Sequence, residues 1–387
     1  MPLVAELEKE LKRGQAQFEV YGELRINEDS WGEVRQSNNS TYKYRRAALS
    51  VDVGEGRSAY VELMGGYDPA RPILRRLSKT QGEGLMDIPW ANRTNENIVA
   101  NVSPQSLFTV GKLDENGNIA RKVFISELDA IEEMEKTFKN GDSVHVWGEV
   151  EYHRYNGQIQ RRLSIHGISQ IVPNSSSDGK HSSILRQSFL VTKNSISPDY
   201  EEELEEKGKT TVTVHVPQYV GKEDGVEVRK VLPFPQTLVY KANDETEVKR
   251  AKGAIEKLLL VEDEDVVREV VLLVDMYDGF ATSKGEIEVT PELKDLIDLG
   301  IVTKDELEKT QTVTGKRVSE NIILRPYIYF DKRTGKTNIL LKDRYDISVL
   351  NTSVKEEEPE EASIADMFGD SEIDTPDDSE LDELDLF

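Results

Sequence analysis

Residues 140–150, Asn140-Gly141-Asp142-Ser143-Val144-His145-Val146-Trp147-Gly148-Glu149-Val150, decide how the first half of the chain is read. Val144, Val146 and Val150 recur at every second position, the period of a strand with one buried face. The glycine among them marks a bend or a close backbone approach. Upstream, 127–138 (ELDAIEEMEKTF) has a helical period instead. Leu128, Ile131, Met134 and Phe138 share one side, Ser126 stands at the N-cap, and carboxylates fill the first turns. Downstream, Asn156-Gly157 separates the strand from 158–172 (QIQRRLSIHGISQIV). Asn-Gly between two alternating runs predicts a hairpin.

Further out, strand patterns cover 16–26, 41–53, 58–64, 107–113 and 121–126, after a charged lead-in helix at 2–13. The stretch from about 65 to 120 reads as a long insertion, its first part rich in Gly, Pro and Asn. Strand, strand, strand, helix, strand, strand is the order of an OB-fold, a five-stranded Greek-key barrel. Residues 173–183 (PNSSSDGKHSS) have linker composition. Beyond them, strands are expected at 184–193, 210–220, 236–241, 266–277, 320–331 and 337–349, with a helix at 245–260 and short helices at 291–299 and 303–309. Helix then strand repeats the order of the first half. The expected fold is mainly β with some α: an OB-fold-like barrel over 1–172, a linker, a second OB-like domain over 184–354 with a helical insertion, and a disordered acidic tail over 355–387.

Charge supports that division. Residues 1–172 hold 22 basic and 25 acidic side chains, and 173–354 hold 26 and 33. Residues 355–387 hold one lysine and 15 carboxylates, more than half of the net −24. The body is therefore close to balanced, and a nucleic-acid ligand is not excluded by the overall acidity. The chain has no cysteine, which excludes disulfides and thiolate metal sites. The N-terminus lacks the basic flank and apolar run of a signal peptide, and no apolar stretch reaches membrane-spanning length, so a cytoplasmic protein with no membrane partner is expected.

No catalytic residue, cofactor or metal site is expected. Phe330-Asp331-Lys332-Arg333-Thr334-Gly335-Lys336-Thr337 ends like a phosphate loop, but Phe replaces the first glycine and strands flank it, so it reads as a hairpin turn. The five histidines lack metal-ligand spacing; His145 and His166 would face each other across two strands without further ligands. The helices at 291–309 carry Asp305, Glu306 and Glu308 where a recognition helix would meet phosphate, and read as structural.

What remains is a binding pattern. Cations track phosphates and aromatic faces stack bases in proteins that hold single strands regardless of sequence. The first half interleaves them in two clusters: Trp31, Arg35, Tyr42, Lys43, Tyr44, Arg45 and Arg46, and Trp147, Tyr152, His153, Arg154, Tyr155, Arg161 and Arg162. Arg75 and Arg76 in the insertion add charge, and Arg325, Tyr327, Tyr329, Lys332 and Arg333 form a similar hairpin in the second half. Tyr42 and Tyr44 share a strand face that would equally pack in a core.

The segment 140–150 resembles the fourth strand of OB-fold single-stranded DNA-binding proteins, where a helix, a Gly-Asp turn and a VxVxGxV strand recur. Residues 355–387, an acidic arm with an apolar tip and a C-terminal Phe, resemble the tails of phage and bacterial single-stranded DNA-binding proteins. The resemblance implies that Leu384, Asp385, Leu386 and Phe387, with Asp382, dock onto replication and repair enzymes such as a polymerase, helicase or primase, and that the arm competes with DNA for the protein's own groove. Leu386 stands where the bacterial tip has Pro. Glu383-Leu-Asp-Leu-Phe387 also looks like the pentapeptide that binds the sliding clamp, with Glu for the usual Gln. The expected function is sequence-tolerant binding of single-stranded DNA in replication, recombination and repair, as in bacteriophage proteins of this kind. The alternatives are a clamp-associated replication or transcription regulator and a non-enzymatic phage adaptor that binds protein.

Overall fold

The strand containing Trp147 runs Ser143–Tyr155 and pairs on both of its edges, and the rest of the first half is arranged around it. The computed structural model describes residues 7–351 apart from 39, 81, 156, 224–225 and 285–311, with backbone alone for 280–284 and 312–317. The chain is mainly β. In order, the first half comprises Ala16–Arg25 (β1), Arg35–Gln36 (β2), Lys43–Asp52 (β3), Ser58–Tyr67 (β4), Ile73–Leu77 (β5), Leu85–Pro89 (β6), Glu96–Asn101 (α1), Phe108–Leu113 (β7), Ile119–Phe124 (β8), Glu127–Thr137 (α2), Ser143–Tyr155 (β9) and Gln158–Gln170 (β10). The second comprises Ser182–Val191 (β11), Tyr200–Lys207 (α3), Lys209–Glu223 (β12), Val226–Lys241 (β13), Glu245–Leu258 (α4), Val266–Lys284 (β14), Thr312–Pro326 (β15), Ile328–Asp331 (β16), Lys336–Ile339 (β17) and Leu341–Asp346 (β18).

The pairings close on themselves twice. β1 pairs with β3, β3 with β4, β4 in parallel with β10, β10 with β9, and β9 with β1. In the second half β11 pairs with β12, β12 with β13, β13 in parallel with β15, β15 with β14, and β14 with β11. Each ring has its third strand parallel to its fifth and a helix, α2 or α4, between its third and fourth. The alternating apolar positions point inward: Val144, Val146, Val150, Leu49, Val51, Val61 and Ile165 in one ring, Val212, Val214, Phe234, Leu272 and Val274 in the other.

β1 belongs to both halves. Its residues Ala16 to Tyr21 pair with Gln187 to Ser182 of β11, and Glu23 to Arg25 pair with β3. The change of partner falls at Gly22, where a Cβ would collide with the backbone oxygen of Asp52. Gly148 has the matching role on β9, lying between Phe18 of β1 and Ile165 of β10, beside the bulge where His166 is extra. A Cβ there would strike the carbonyl oxygen of Ser164 and come within 2.9 Å of His166 N.

Ser126 caps α2 as expected, its hydroxyl accepting from Asp129 N, and the hairpin β9–β10 turns at Gly157, whose φ is +74°. Phe330–Thr337 forms the β16–β17 turn, with Asp331 accepting from Arg333 N and Thr334 Oγ1. Other expectations need correction. Residues 7–13 are not helical: Glu8 pairs with Tyr345, its carboxylate held by Lys12 and Arg344. The insertion contains a hairpin, β5–β6, and a small core of Leu74, Ile88, Val102 and Ile125. Consecutive Arg75 and Arg76 mask its alternation. β13 begins ten residues before the expected 236, running through Pro233 and Pro235. Its recorded pairing away from β12 is confined to Val239, so the missing N–H groups break no other ladder. α3 was not anticipated; its Tyr200 and Leu204 are buried against the second ring. The helices expected at 291–299 and 303–309 and the tail at 355–387 lie outside the described residues.

Gly148→Val is expected to lower stability by about 2–3 kcal/mol, because overpacking at a three-strand contact cannot be relieved by rotating a side chain. A melting temperature equal to the parent's would contradict this account of β9.

Candidate nucleic-acid interface

Strand phase decides which expected residues reach the surface. On β3, Ala47, Leu49 and Val51 are buried, so Tyr44, Arg46, Ala48 and Ser50 point out. On β4, burial of Ala59, Val61 and Leu63 turns Tyr60, Glu62 and Met64 outward. On β10, Leu163 and Ile165 point in, and Arg162 and Ser164 out. Register places Ser50 beside Tyr60, Ala48 beside Glu62, and Glu62 beside Ser164. Small side chains in the middle of the face and large ones around it leave a groove of about 390 Å³, lined by Arg25, Arg46, Arg161, Arg162, Tyr60, His153 and Glu62 among others.

Two guanidinium groups converge on one carboxylate here, while Arg25 and Arg161 line the groove with other partners. Glu62 Oε2 accepts from Arg46 Nε at 2.7 Å and from Arg46 Nη2, and Glu62 Oε1 lies 2.5 Å from Arg162 Nε. Arg161 Nη1 donates to Asn321 Oδ1 at 2.6 Å, and Arg25 Nη2 to Asp52 Oδ2 at 2.9 Å. A guanidinium has five N–H donors in a rigid fork, so one carboxylate orients Arg46 and Arg162 without using all their donors. Tyr60, 63% exposed, offers a ring at the edge of this cluster.

Several expected residues do other work. Tyr152 is 3% exposed, and its hydroxyl donates to Gln187 Oε1 at 2.9 Å inside the core, so it offers no face to a base. Arg45 is in the inward phase; its Nε donates to Gly32 O at 2.6 Å and Nη2 to Glu135 on α2 at 2.7 Å. Arg76 is held by Ile125 O and Glu127, and Arg75 by Asp87. Tyr42 stacks on Tyr44 at 6.4 Å, and burial, with the nearby Glu127 carboxylate, pushes its phenol up to about 12. Trp31 packs against the core and bridges Ala47. Arg35 and Lys43 lie on the β2–β3 ladder, beside the groove rather than in it. Arg154 is paired with Glu223 of β12 at 2.8 Å and lies over Phe234, fastening the two halves, and Tyr155 beside it is half-buried. Tyr329, Lys332 and Arg333 sit on the β16–β17 hairpin, the two cations exposed.

Trp147 belongs to a different face. Its indole lies over Gly167, where a Cβ would run into the ring, and 4.9 Å from His145. His145 stacks on Tyr21 at 4.1 Å, and Lys180 Nζ covers Tyr21 at 3.7 Å. His145 and His166 do not form a pair: His166 meets Phe108 edge-on, and among the described residues no group of His, Asp and Glu could hold a metal ion. Sequence reasoning missed Tyr60, Arg25 and Glu62. Their signal was phase: Tyr60 and Glu62 alternate with Ala59, Val61 and Leu63 in one short strand.

The family described as YorF matches residues 94–256, from just before α1 to within α4. No curated protein matches the chain. Among solved structures, a crystal structure of a deletion mutant of the single-stranded DNA binding protein from Thermus aquaticus is similar at 10% identity, covering 73% of this chain and 100% of that one, with a TM-score of 0.30. That overlap is too slight to transfer a role. No helix among the described residues is long and apolar enough to cross a membrane.

Burial holds the His145 and His215 imidazoles below their usual 6.5, and for His145 the charges of Lys180 and Arg121 add to the effect while Glu19 opposes it. The unfolded chain therefore takes up these protons first, and the stability they contribute is full above 6.5 and lost as pH falls toward the folded values. The melting temperature should drop between about pH 7.5 and about pH 5.5, and His145→Gln with His215→Gln should flatten that drop. The raised carboxyls Glu127 and Asp275 act with the opposite sign at lower pH, so the comparison is between variant and parent over this window. An identical pH slope in both proteins would refute the assignment.

Proposed function

We propose that the protein binds single-stranded DNA without sequence preference, as a non-enzymatic component of replication, recombination or repair. We read the two rings of strand pairings as OB-fold-like barrels. Each ring runs first, second, third, fifth, fourth strand and back, with a helix between the third and fourth, an order that supports this reading. In that fold the second and third strands form the ligand face. The observation that supports the function is that Arg46 of the second strand and Tyr60 of the third stand on that face of the first ring, with Arg162 beside them and Arg25 and Arg161 lining the same groove. Guanidinium groups bind phosphate oxygens and an exposed ring stacks on any base, the combination that sequence-tolerant binding needs.

Glu62 sets the strength of the site. It holds Arg46 and Arg162 in place and also neutralises part of their charge. A phosphate entering the groove competes with it for the same donors. Binding should therefore fall steeply with salt. In a fluorescence titration with a labelled oligonucleotide, Tyr60→Ala and Arg46→Ala should each weaken binding by about 1–3 kcal/mol. Glu62→Gln should strengthen it. Loss of no affinity in either alanine variant, with the fold intact, would sink this reading.

The tail at 355–387 supplies the second half of the proposal, that partners such as a polymerase, helicase, primase or sliding clamp dock on Leu384, Asp385, Leu386 and Phe387. With 15 carboxylates it is a built-in polyanion that competes for the groove. Removing it should raise DNA affinity at low salt and abolish capture of those partners in a pull-down. A truncated protein that still captures them would locate docking elsewhere.

A further inference from the structure

The two rings share one outer surface. Following the registers, Arg325 of β15 lies beside Leu273 of β14, Leu273 beside Arg186 of β11, Arg186 beside Gln17 of β1, and Gln17 beside Glu149 of β9. This row crosses five strands, about 19 Å at the usual spacing between neighbours. It runs from the second ring into the first without a break, because β1 and β11 pair directly. The groove over it has a volume of about 870 Å³ and shares no lining residue with the groove at Arg46 and Tyr60.

Its lining carries a surplus of positive charge. Four cations line it, Arg13, Lys180, Arg186 and Arg325, against two carboxylates, Glu19 and Glu149, and Glu149 is already held by Arg13 at 3.0 Å. That surplus of positive charge stands out on a chain of net charge −24. Arg186 Nη1 donates to Tyr327 Oη at 3.0 Å, yet its Nε is buried with no partner, as is the acceptor Gln15 Oε1. Arg186 has five N–H donors, so the bond to Tyr327 leaves it donors for an anion in the groove. Aromatic rings stand at both ends, Tyr327 on the second ring, with Arg186 over one face at 4.7 Å, and Trp147 on the first, with Gly167 under one face.

We propose that this face is a second binding site for single-stranded DNA, with phosphates on Arg325 and Arg186 and bases stacked at Tyr327 and Trp147, so that one strand is held by both barrels at once. The site rests on the reading of the protein as a single-strand binder. It extends that reading from one barrel to the junction of two.

The test uses the full chain in four forms: parent, groove variant (Arg46→Ala with Tyr60→Ala), face variant (Arg325→Glu with Tyr327→Ala), and the two combined. Arg325 is exposed and Tyr327 half-exposed. Circular dichroism melts confirm that each form folds. With an oligonucleotide of about 24 nucleotides, longer than the span of one barrel, the face variant should bind at least about tenfold more weakly than the parent, and the combined form more weakly than either. Photo-crosslinking of a bromouracil-containing strand should label the peptide around Arg325 to Tyr327 or that around Trp147 in the parent and in the groove variant. A face variant that binds like the parent, with no crosslink at either peptide, overturns the second site while the groove stands. A groove variant that binds like the parent while the face variant does not leaves this site standing and removes the first. Absence of binding by the parent itself overturns both.

Discussion

The pairing of β1 with β11 is the constraint on which the rest of the arrangement depends. Six consecutive residues of β1 are committed to the second half of the chain, while its last three stay with β3 and its other edge stays with β9. A strand can change partners in this way only where it coils sharply, and Gly22 provides that point by leaving room for the Asp52 carbonyl. Once β1 is shared, the rings cannot rotate independently without breaking a backbone ladder. Side chains reinforce the joint: Arg57 bridges Gly279 and pairs with Asp275 at 3.0 Å, and the buried Tyr152 hydroxyl reaches Gln187 of β11. The 173–183 segment that looks like a linker by composition therefore joins two bodies that are hydrogen-bonded to each other.

That joint changes what several arginines can do. A cation on a strand is available to a ligand only if it keeps donors open to solvent beyond those its carboxylate partner takes. Arg45, Arg76, Arg154 and Arg344 are each drawn onto a carboxylate from another element, Glu135, Glu127, Glu223 and Glu269. They hold the helix, the insertion and the two halves in place. Arg46 and Arg162 are held by Glu62 on the ring's open outer face and keep spare donors. The division between structural and groove-facing arginines is made by strand phase and by which element covers each face, and net charge has no part in it.

The aromatic residues divide for the same reason. Tyr42 and Tyr44 have the outward phase of Arg46, but Tyr42 is half-buried and its ring stacks on Tyr44. Tyr152 has the inward phase and becomes core. Trp147, also outward, faces the joint between the rings and lines one groove with Lys180 and, at its far end, Tyr327, a grouping that no local pattern could have assigned to it.

By itself the sequence determined the local structure: the period-two strands, the helix from Glu127 with its Ser126 cap, the Asn156-Gly157 turn and the need for glycine at position 148. These follow from steric and hydrogen-bonding rules that act within a few residues, and for that reason they are legible in one chain. Their limits were local too, since Pro233 and Pro235 hid a strand and paired arginines hid the β5–β6 hairpin. Tyr60 and Glu62 were legible in principle from alternation, whereas the ion pairs that consume Arg45 and Arg154 span 90 and 69 residues. Only the tertiary structure could decide which side chains share a groove. Burial, pairing and open donors are properties of elements brought together from distant parts of the chain, and β1 brings them together by serving both rings.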